Sequence, residues 1–272
     1  VDRVPLDLGG TESSGVTGIA WWKLARSLAV GECPGGACGT VRELPEMVDV
    51  YQQVARVTDT MRRRLDVDTV ALFIEPAEWR DDTLADGRPC RSPANWRPSV
   101  EPNGDRVVRD SAGRTIARMP AGGLYFEPVA APLADCTSVA EIERRRDIIA
   151  TNDLPGFCDE SIDATAARAR LLHDQPTSPA VVFNFCCHLL HGGTGLRGYE
   201  QFMADLALDR RLAEAVLENL LEVYLDRLER YAPRLRGLVD VVLFNDDLGT
   251  QAGPMISPAV YRDLIQPRQA KL

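Results

Sequence analysis

The sequence lacks the features that mark membrane-spanning and nucleotide-binding proteins. No stretch approaches the ~18 consecutive apolar residues of a membrane helix. No G-x-G-x-x-G motif follows any predicted strand, so nothing supports a nucleotide cofactor. We recognise no secretory signal peptide. The first residue is Val1 rather than methionine and a strand is predicted by Val4, so we expect the start to be clipped.

An excess of positive charge is also missing. The 272 residues include 31 lysines and arginines against 40 aspartates and glutamates, which gives a net charge of −9. This balance argues against nucleic acid or an anionic membrane surface as the main partner. Two arginine runs, 62–64 and 144–146, are typical of solvent-facing helix segments. The net charge does not exclude an anionic ligand, because a local arginine cluster can override it.

The cysteines do not form a recognisable disulfide framework. There are seven, an odd number at irregular spacings, which predicts reduced thiols and a cytoplasmic protein. Cys33 and Cys38 lie in a glycine-rich segment, 31–40, without a second pair at zinc-binding spacing. We therefore predict a loop there rather than a metal site.

The most informative stretch is 239–258, VDVVLFNDDLGTQAGPMISP. Its apolar start predicts one buried strand, and the adjacent carboxylates Asp246 and Asp247 follow that strand directly. A loop of small and hydrogen-bonding residues comes next, and Ser257-Pro258 is typical of a helix N-cap and first turn. Because ligands bind at the carboxyl ends of parallel strands, we predict a site around the two aspartates.

The two aspartates are expected to differ in role. Side chains of adjacent residues leaving a strand diverge, so one carboxylate faces the site and the other faces away. We favour Asp246 as the inward group, because Asp247 precedes Leu248-Gly249 and is well placed to accept turn N–H groups. The structural alternative is that Asp246 caps the turn while Asp247 pairs with a buried arginine.

Three further strands are predicted, near residues 4–8, 69–74 and 180–185. Asp7 lies near the end of the first, and Glu75 follows the second. The third ends in Cys186, Cys187 and His188, with His191 three residues later. These are zinc-binding residue types, but adjacent side chains cannot all converge on one ion. Substrate contact by either histidine, and buried thiols beside a satisfied histidine, are the alternatives.

The other segments complete an alternation of strands and helices. Apolar spacing predicts helices over 45–65, 138–149, 162–173, 209–231 and 258–272. The segment 80–133 does not follow this alternation. Its composition and turn residues predict a β-rich excursion with a hairpin turning at Gly113. Such an excursion commonly walls a pocket on the catalytic side of a barrel.

Four strand-to-helix units, near residues 4, 70, 181 and 240, decide the predicted architecture. A (β/α)8 TIM barrel needs eight units in typically ~250 residues. We therefore predict an α/β fold, a single partial TIM-barrel domain over 1–272 that is truncated to about its first half, with 80–133 inserted after strand 2. An open doubly wound sheet is the alternative.

Four segments resemble the uroporphyrinogen decarboxylase superfamily. They are RVPLDLGGTESSG, GLYFEPVAAPLAD, LRGYEQFMADL and, most specifically, NDDLGTQAGPMISPAVYRDLIQPRQAKL. The resemblance covers essentially the whole chain and implies a (β/α)8 barrel with its site at the carboxyl ends of the strands. It also implies one of two chemistries. One is decarboxylation of uroporphyrinogen without a cofactor, and the other is methyl transfer through a corrinoid protein, often aided by zinc.

Two departures from the decarboxylase pattern favour methyl transfer. Decarboxylases carry arginines in the loop after strand 1 to grip substrate carboxylates, whereas Gly9 to Gly15 has none. They also place an aspartate at the end of strand 2, where only Glu75 is near. The NDDLGTQ segment resembles the corrinoid-linked methyltransferase and O-demethylase branch. We expect such a methyltransferase, with the decarboxylase of haem biosynthesis and an inactive truncated scaffold as alternatives.

The resemblance and the strand ends together give the expected site. Asp246 and Asp247 are the predicted catalytic residues. The predicted substrate-binding residues are Asp7, Glu75, His188, Thr250 and Gln251. The expected partners are a small methylated substrate and a corrinoid protein, with no nucleic acid and no membrane. In zinc-dependent relatives the ligands lie in the second half of the barrel, so we expect any zinc ligands beyond Leu272 and this chain alone to be inactive.

Overall fold

The computed structural model of the protein describes residues 3–28, 43–110, 112–151, 158–175, 179–185 and 187–272. The strands are β1 Val16–Thr17, β2 Met47–Asp49, β3 Val54–Ala55, β4 Thr69–Leu72, β5 Trp79–Thr83, β6 Pro89–Pro93, β7 Ser99–Val100, β8 Arg106–Arg109, β9 Thr115–Met119, β10 Glu127–Pro128, β11 Ala180–Asn184, β12 Val241–Leu243, β13 Gly249–Thr250 and β14 Gly253–Pro254. The helices are α1 Gly18–Ser27, α2 Asp59–Arg64, α3 Val139–Arg144, α4 Arg146–Thr151, α5 Asp159–His173, α6 Leu189–Arg197, α7 Tyr199–Leu208, α8 Arg210–Leu235, α9 Pro258–Val260 and α10 Gln266–Gln269, with a π-helical turn at Tyr261–Ile265 before α10. The predicted loop 31–40, with Cys33 and Cys38, and Cys186 lie outside the described residues.

Three of the four predicted strands pair in parallel in the order β4-β11-β12. In the register, Val182 of β11 lies opposite Ala71 on one side and Val241 on the other. The prediction that β12 is buried is wrong: it lies at the edge of the sheet, with Val241 46% and Val242 42% exposed. Three neighbouring parallel strands fit both a barrel and an open sheet, so the TIM barrel stays a prediction.

The predicted first strand is wrong. Residues 4–8 form no strand, and Val4 and Leu6 are exposed rather than buried. The Leu6 N–H is donated to the Asp68 carboxylate at 2.7 Å instead of to a neighbouring strand. This hydrogen bond is the main reason that the pKa of Asp68 lies below its usual value. The Asp68 N–H is donated in turn to the Leu6 carbonyl at 2.9 Å, so a reciprocal contact with Asp68, and not a sheet ladder, holds the segment.

The helix predicted over 45–65 is also wrong. Antiparallel strands β2 and β3 occupy its first half, and only α2 is helical. The Asp49 carboxylate accepts the N–H groups of Tyr51 and Gln52 at 2.8 and 3.0 Å, which closes a turn between the strands. Gln53, at φ 56°, then takes a left-handed conformation that no helix contains.

The β-rich excursion is confirmed. Strands β5 and β6 form one hairpin, and β7 to β10 form an antiparallel sheet in the order β10-β9-β8-β7. Gly113 lies in the β8–β9 turn at φ +78°, a conformation that glycine adopts without strain. The excursion shares a core with α1, β2 and α2, whose largest members are Trp21, Met47, Met61, Trp96, Met119 and Phe126. Its placement over the carboxyl ends of the parallel strands stays a prediction.

The chain divides into two compact units, which are described separately. Unit 1 comprises Val1–Pro128, Pro155–Phe185 and Leu235–Leu243. Unit 2 comprises Val129–Leu154, Cys186–Arg234 and Phe244–Leu272. Unit 1 holds the parallel sheet, the β-rich excursion and α5, whereas unit 2 is mainly helical. The prediction of a single domain stays a prediction.

Unit 2 is organised by helix termini and one buried ion pair. Ser138 and Glu141 form a capping box at α3, and the Ser257 hydroxyl accepts the Val260 N–H at 3.2 Å at the start of α9. Arg197, 1% exposed, donates to Asp205 at 2.8 Å and also to the carbonyl of Cys136 at 2.9 Å. Across the described part of the chain, no helix has the length and apolar character needed to cross a membrane.

Candidate functional site

The candidate site in unit 2 is built on residues 244–257, which we call the exit loop because they follow β12. The Asp246 carboxylate accepts the N–H of Leu190 at 2.7 Å and the N–H of His191 at 2.9 Å. Both N–H groups belong to the first turn of α6, where no preceding carbonyl can accept them. The N-cap residue, His188, makes no side-chain capping bond, so Asp246 supplies the cap from another part of the sequence.

Asp247, in contrast to Asp246, has a carboxylate that is not engaged by the described residues. It is exposed, and its side chain makes no hydrogen bond or ion pair with any described residue. Its own N–H is donated to Asp246 at 3.1 Å. The expectation that Asp247 receives the N–H groups is therefore wrong, because Asp246 receives them. The donors come mainly from α6 and not from the local turn.

Two imidazoles lie on the turn that Asp246 caps. The rings of His188 and His191 meet edge-to-face, with centroids 5.5 Å apart. The Tyr224 hydroxyl fixes the main chain of His188, accepting its N–H at 3.3 Å and donating to its carbonyl at 3.1 Å. Neither imidazole makes a hydrogen bond to a described residue. His188 is half-buried and His191 is exposed, so both rings remain available for proton transfer.

The other predicted residues of the exit loop differ in how far they are engaged. The Thr250 hydroxyl donates to the Gly253 carbonyl at 3.1 Å and accepts the Ala252 N–H at 3.2 Å, which closes the short β13–β14 hairpin. Gln251 lies at the tip of that hairpin with an exposed, unengaged side chain. Of the two, Gln251 is the one free to contact a ligand.

The described residues do not provide a metal centre. No group of three or more histidines, cysteines, aspartates or glutamates among them is placed to hold a metal ion. Cys187, beside His188 in sequence, is buried. A structural or catalytic zinc needs at least three protein ligands, so zinc does not fit the described part of the chain.

Asp7, in unit 1, closes the loop that follows the predicted first strand. Its carboxylate accepts the Gly10 N–H at 2.9 Å and the Thr69 hydroxyl. Further along, Thr11 and Ser14 hydrogen-bond to each other through both side chains and main chain. Thr11 and Ser14 are thus engaged with each other, the Gly10 carbonyl accepts from the Asn184 amide at 2.9 Å, and residues 9–15 contain no lysine or arginine.

Glu75, also in unit 1, is one half of a buried ion pair. It is 6% exposed, and both its carboxylate oxygens lie 2.7 Å from one guanidinium nitrogen of Arg56. The same arginine donates through Nε to Glu46 at 2.9 Å. The Glu75 main chain is held as well, because its N–H is donated to the Thr165 hydroxyl at 2.9 Å. Asp7 and Glu75 share no hydrogen bond.

Sequence reasoning missed Arg56 and Tyr224. Arg56 lies in the segment wrongly predicted as a helix. It is 19 residues from Glu75 in the sequence, and no local pattern links the two residues. Tyr224 lies on the otherwise aliphatic stripe of the helix predicted over 209–231, and its hydroxyl fixes His188. Buried polar groups need partners, so a tyrosine in an otherwise aliphatic stripe was the available signal.

Comparison with known proteins gives no family. No protein-family model and no curated protein matches the sequence. Among solved structures, the chain is similar to a methyltransferase from Methanosarcina mazei, with 13% identity and a TM-score of 0.43. That match covers 100% of this chain and 61% of the methyltransferase, so the chain spans less than two thirds of its length. A likeness this distant carries no functional argument.

Proposed function

We propose that this protein is a corrinoid-linked methyltransferase that moves a methyl group from a small methylated donor. The supporting observation is that the two aspartates of the exit loop differ in their contacts. The carboxylate of Asp246 is used to hold α6, while that of Asp247 is exposed and engages no described residue. An uncommitted carboxylate fixed beside a capped helix start is suited to proton transfer.

Removal of a methyl group from oxygen or nitrogen sets the requirements for these residues. The carbon–heteroatom bond breaks, its electron pair stays on the heteroatom, and that atom must gain a proton. The corrinoid, when bound, supplies a cobalt(I) centre whose electron pair accepts the methyl group. Asp247 delivers the proton to the leaving heteroatom and becomes a carboxylate. Gln251 contacts the polar end of the donor, and the exposed Asp247 regains its proton from solvent.

The exit loop fits a corrinoid that is carried on another protein. A group held by a partner can approach only exposed residues, and Asp247, Thr250 and Gln251 are all exposed. Zinc does not fit the described residues, so we assign no step to it.

Uroporphyrinogen decarboxylation is the competing function. Its substrate carries eight carboxylates and needs cationic side chains around it. Residues 9–15 offer none, and the side chains of Thr11 and Ser14 in that loop bond to each other. We therefore expect the full-length protein not to decarboxylate uroporphyrinogen at a useful rate.

A donor screen with the full-length protein tests the proposal. Cob(I)alamin is added with methanol, trimethylamine or 2-methoxyphenol, and the demethylated product is quantified. We expect cobalamin-dependent demethylation of at least one donor, with Asp247→Asn about 100-fold slower. A parallel assay follows porphyrin products from uroporphyrinogen. Decarboxylation without demethylation would identify the protein as a decarboxylase, and the absence of both activities would identify a scaffold; either result overturns the proposal.

A further inference from the structure

We propose that unit 1 contains a binding site for one halide-sized monovalent anion, with chloride as its natural occupant. The site is a small cavity whose lining residues include Arg56, Arg62 and Arg168. It is independent of the exit loop and of the proposed methyl transfer.

Arg168, on α5, is the residue without an internal partner. Its Nε is buried with no hydrogen-bond partner, and the side chain forms no hydrogen bond or ion pair with the described residues. Burial is the main cause that lowers the pKa of Arg168, and the neighbouring charge of Arg56 adds to it. A guanidinium group stays protonated in proteins, so its charge needs a counter-ion.

Arg56, which also lines the cavity, carries a second unpaired donor. The side chain is 10% exposed, and its Nη2 and Nε are bonded to Glu75 and Glu46. Its Nη1 is buried and has no hydrogen-bond partner. Arg62 differs, because it already donates a hydrogen bond to Gln175 at 2.7 Å. Its contribution to the site is its positive charge.

Arg168 has no direct counter-ion among the described residues. Glu75 is bound to Arg56, and Glu46 pairs with Arg56 at 2.9 Å and with Arg91 at 3.2 Å. Asp59 lies 3.9 Å from Arg62, and Asp7 is bound to Thr69 at the cavity wall. None of these carboxylates makes a hydrogen bond or ion pair with Arg168. A monovalent anion beside Arg168 would supply the missing negative charge.

The size of the cavity restricts the anion. The space open to the centre of a water molecule is about 10 Å³, enough for roughly one water-sized sphere. Phosphate, sulfate and larger carboxylates need more room. Val57 and Val70 add apolar residues to the lining, and so does Gly9 at φ +73°, where an added Cβ would collide with Val57. A weakly hydrated halide suits a small site with both cationic and apolar walls.

Bromide diffraction tests the proposal on the full-length protein. Crystals grown with sodium bromide are measured at the bromine edge, with and without competing chloride. We expect an anomalous peak in the cavity that chloride removes, and that is absent from Arg168→Gln. Arg170→Gln is the matched control, because Arg170 is exposed on the same helix, and it should keep the peak. A cavity that holds only water in the wild type, or a peak that Arg168→Gln retains, would overturn the proposal.

A solution measurement separates a specific site from binding at crystal concentration only. The melting temperature is compared in sodium chloride and in sodium gluconate at equal ionic strength, since gluconate is too large for the cavity. We expect chloride to raise the melting temperature saturably by about 3 °C in the wild type and in Arg170→Gln. No difference between the two salts in the wild type would contradict the proposal, whether or not the Arg168 variant folds.

Discussion

Glu75 and Asp246 both follow a strand of the same parallel sheet, yet they meet different partners. Glu75, after β4, is buried and pairs with the guanidinium of Arg56. Asp246, after β12, is half-buried and accepts main-chain N–H groups from the start of α6. Both strand-end carboxylates are therefore engaged in holding the structure. Asp247, the neighbour of Asp246, engages no described residue, and we propose it as the group that takes part in chemistry.

The largest effect should come from breaking the buried ion pair of unit 1. We expect Glu75→Ala to lower the free energy of unfolding by about 3–5 kcal/mol, because Arg56 would keep a buried charge without its main partner. Urea unfolding measures this loss. Glu78→Ala is the control: Glu78 is exposed and its side chain makes no hydrogen bond or ion pair with a described residue, so the change should stay within about 0.5 kcal/mol. Equal losses for both variants would remove the structural role assigned to Glu75.

The next effect concerns how firmly α6 is held against its own unit. A Cβ added at Gly193 would collide with the Phe202 ring, whereas one at Gly195 meets nothing within 4 Å. We expect Gly193→Ala to destabilise the protein by about 1–3 kcal/mol through overpacking. Gly195→Ala should be neutral or slightly stabilising, because alanine favours a helix. Thermal unfolding of both variants measures the difference, and a similar result for the two would mean that α6 is loosely packed.

A smaller effect should distinguish the two aspartates of the exit loop. Asp246→Ala leaves the second and third N–H groups of α6 without their acceptor, and we expect a loss of about 1–2 kcal/mol. Asp247→Ala should change the free energy of unfolding by less than about 0.5 kcal/mol. Both changes are measured from the urea concentration at the midpoint of unfolding, compared between variants whose unfolding free energies have the same dependence on urea. If Asp247→Ala lowered the free energy of unfolding as much as Asp246→Ala, the structural role assigned to Asp246 alone would be wrong.

The sequence identified the elements whose signals are local. Strands β4, β11 and β12 were predicted from continuous apolar runs, and the β8–β9 hairpin from the turn residues around Gly113. The helix predicted over 45–65 failed because apolar spacing alone cannot distinguish a helix from two short buried strands. The deciding features there are the turn formed by Asp49 and the left-handed Gln53, and neither has an unambiguous sequence signature.

The candidate site could be proposed from sequence, but the contacts of its residues could not. The pair Asp246-Asp247 was found because two carboxylates directly follow a strand. Their assignment depended on α6, whose N–H donors lie more than fifty residues earlier in the chain. Glu75 likewise depends on Arg56, from a segment whose conformation was mispredicted. Long-range partners of this kind decide whether a strand-end carboxylate is structural or chemical, and no local pattern contains them.

The most direct measurement compares activity and stability in the same two variants of the full-length protein. Cobalamin-dependent demethylation and the urea midpoint are measured for Asp247→Asn and for Asp246→Ala. We expect Asp247→Asn to lose about 100-fold in kcat with an unchanged midpoint. Asp246→Ala should lower the midpoint and retain more of its kcat than Asp247→Asn. Full activity in Asp247→Asn, or an active-site loss confined to Asp246→Ala, would contradict the assignment of chemistry to the uncommitted aspartate.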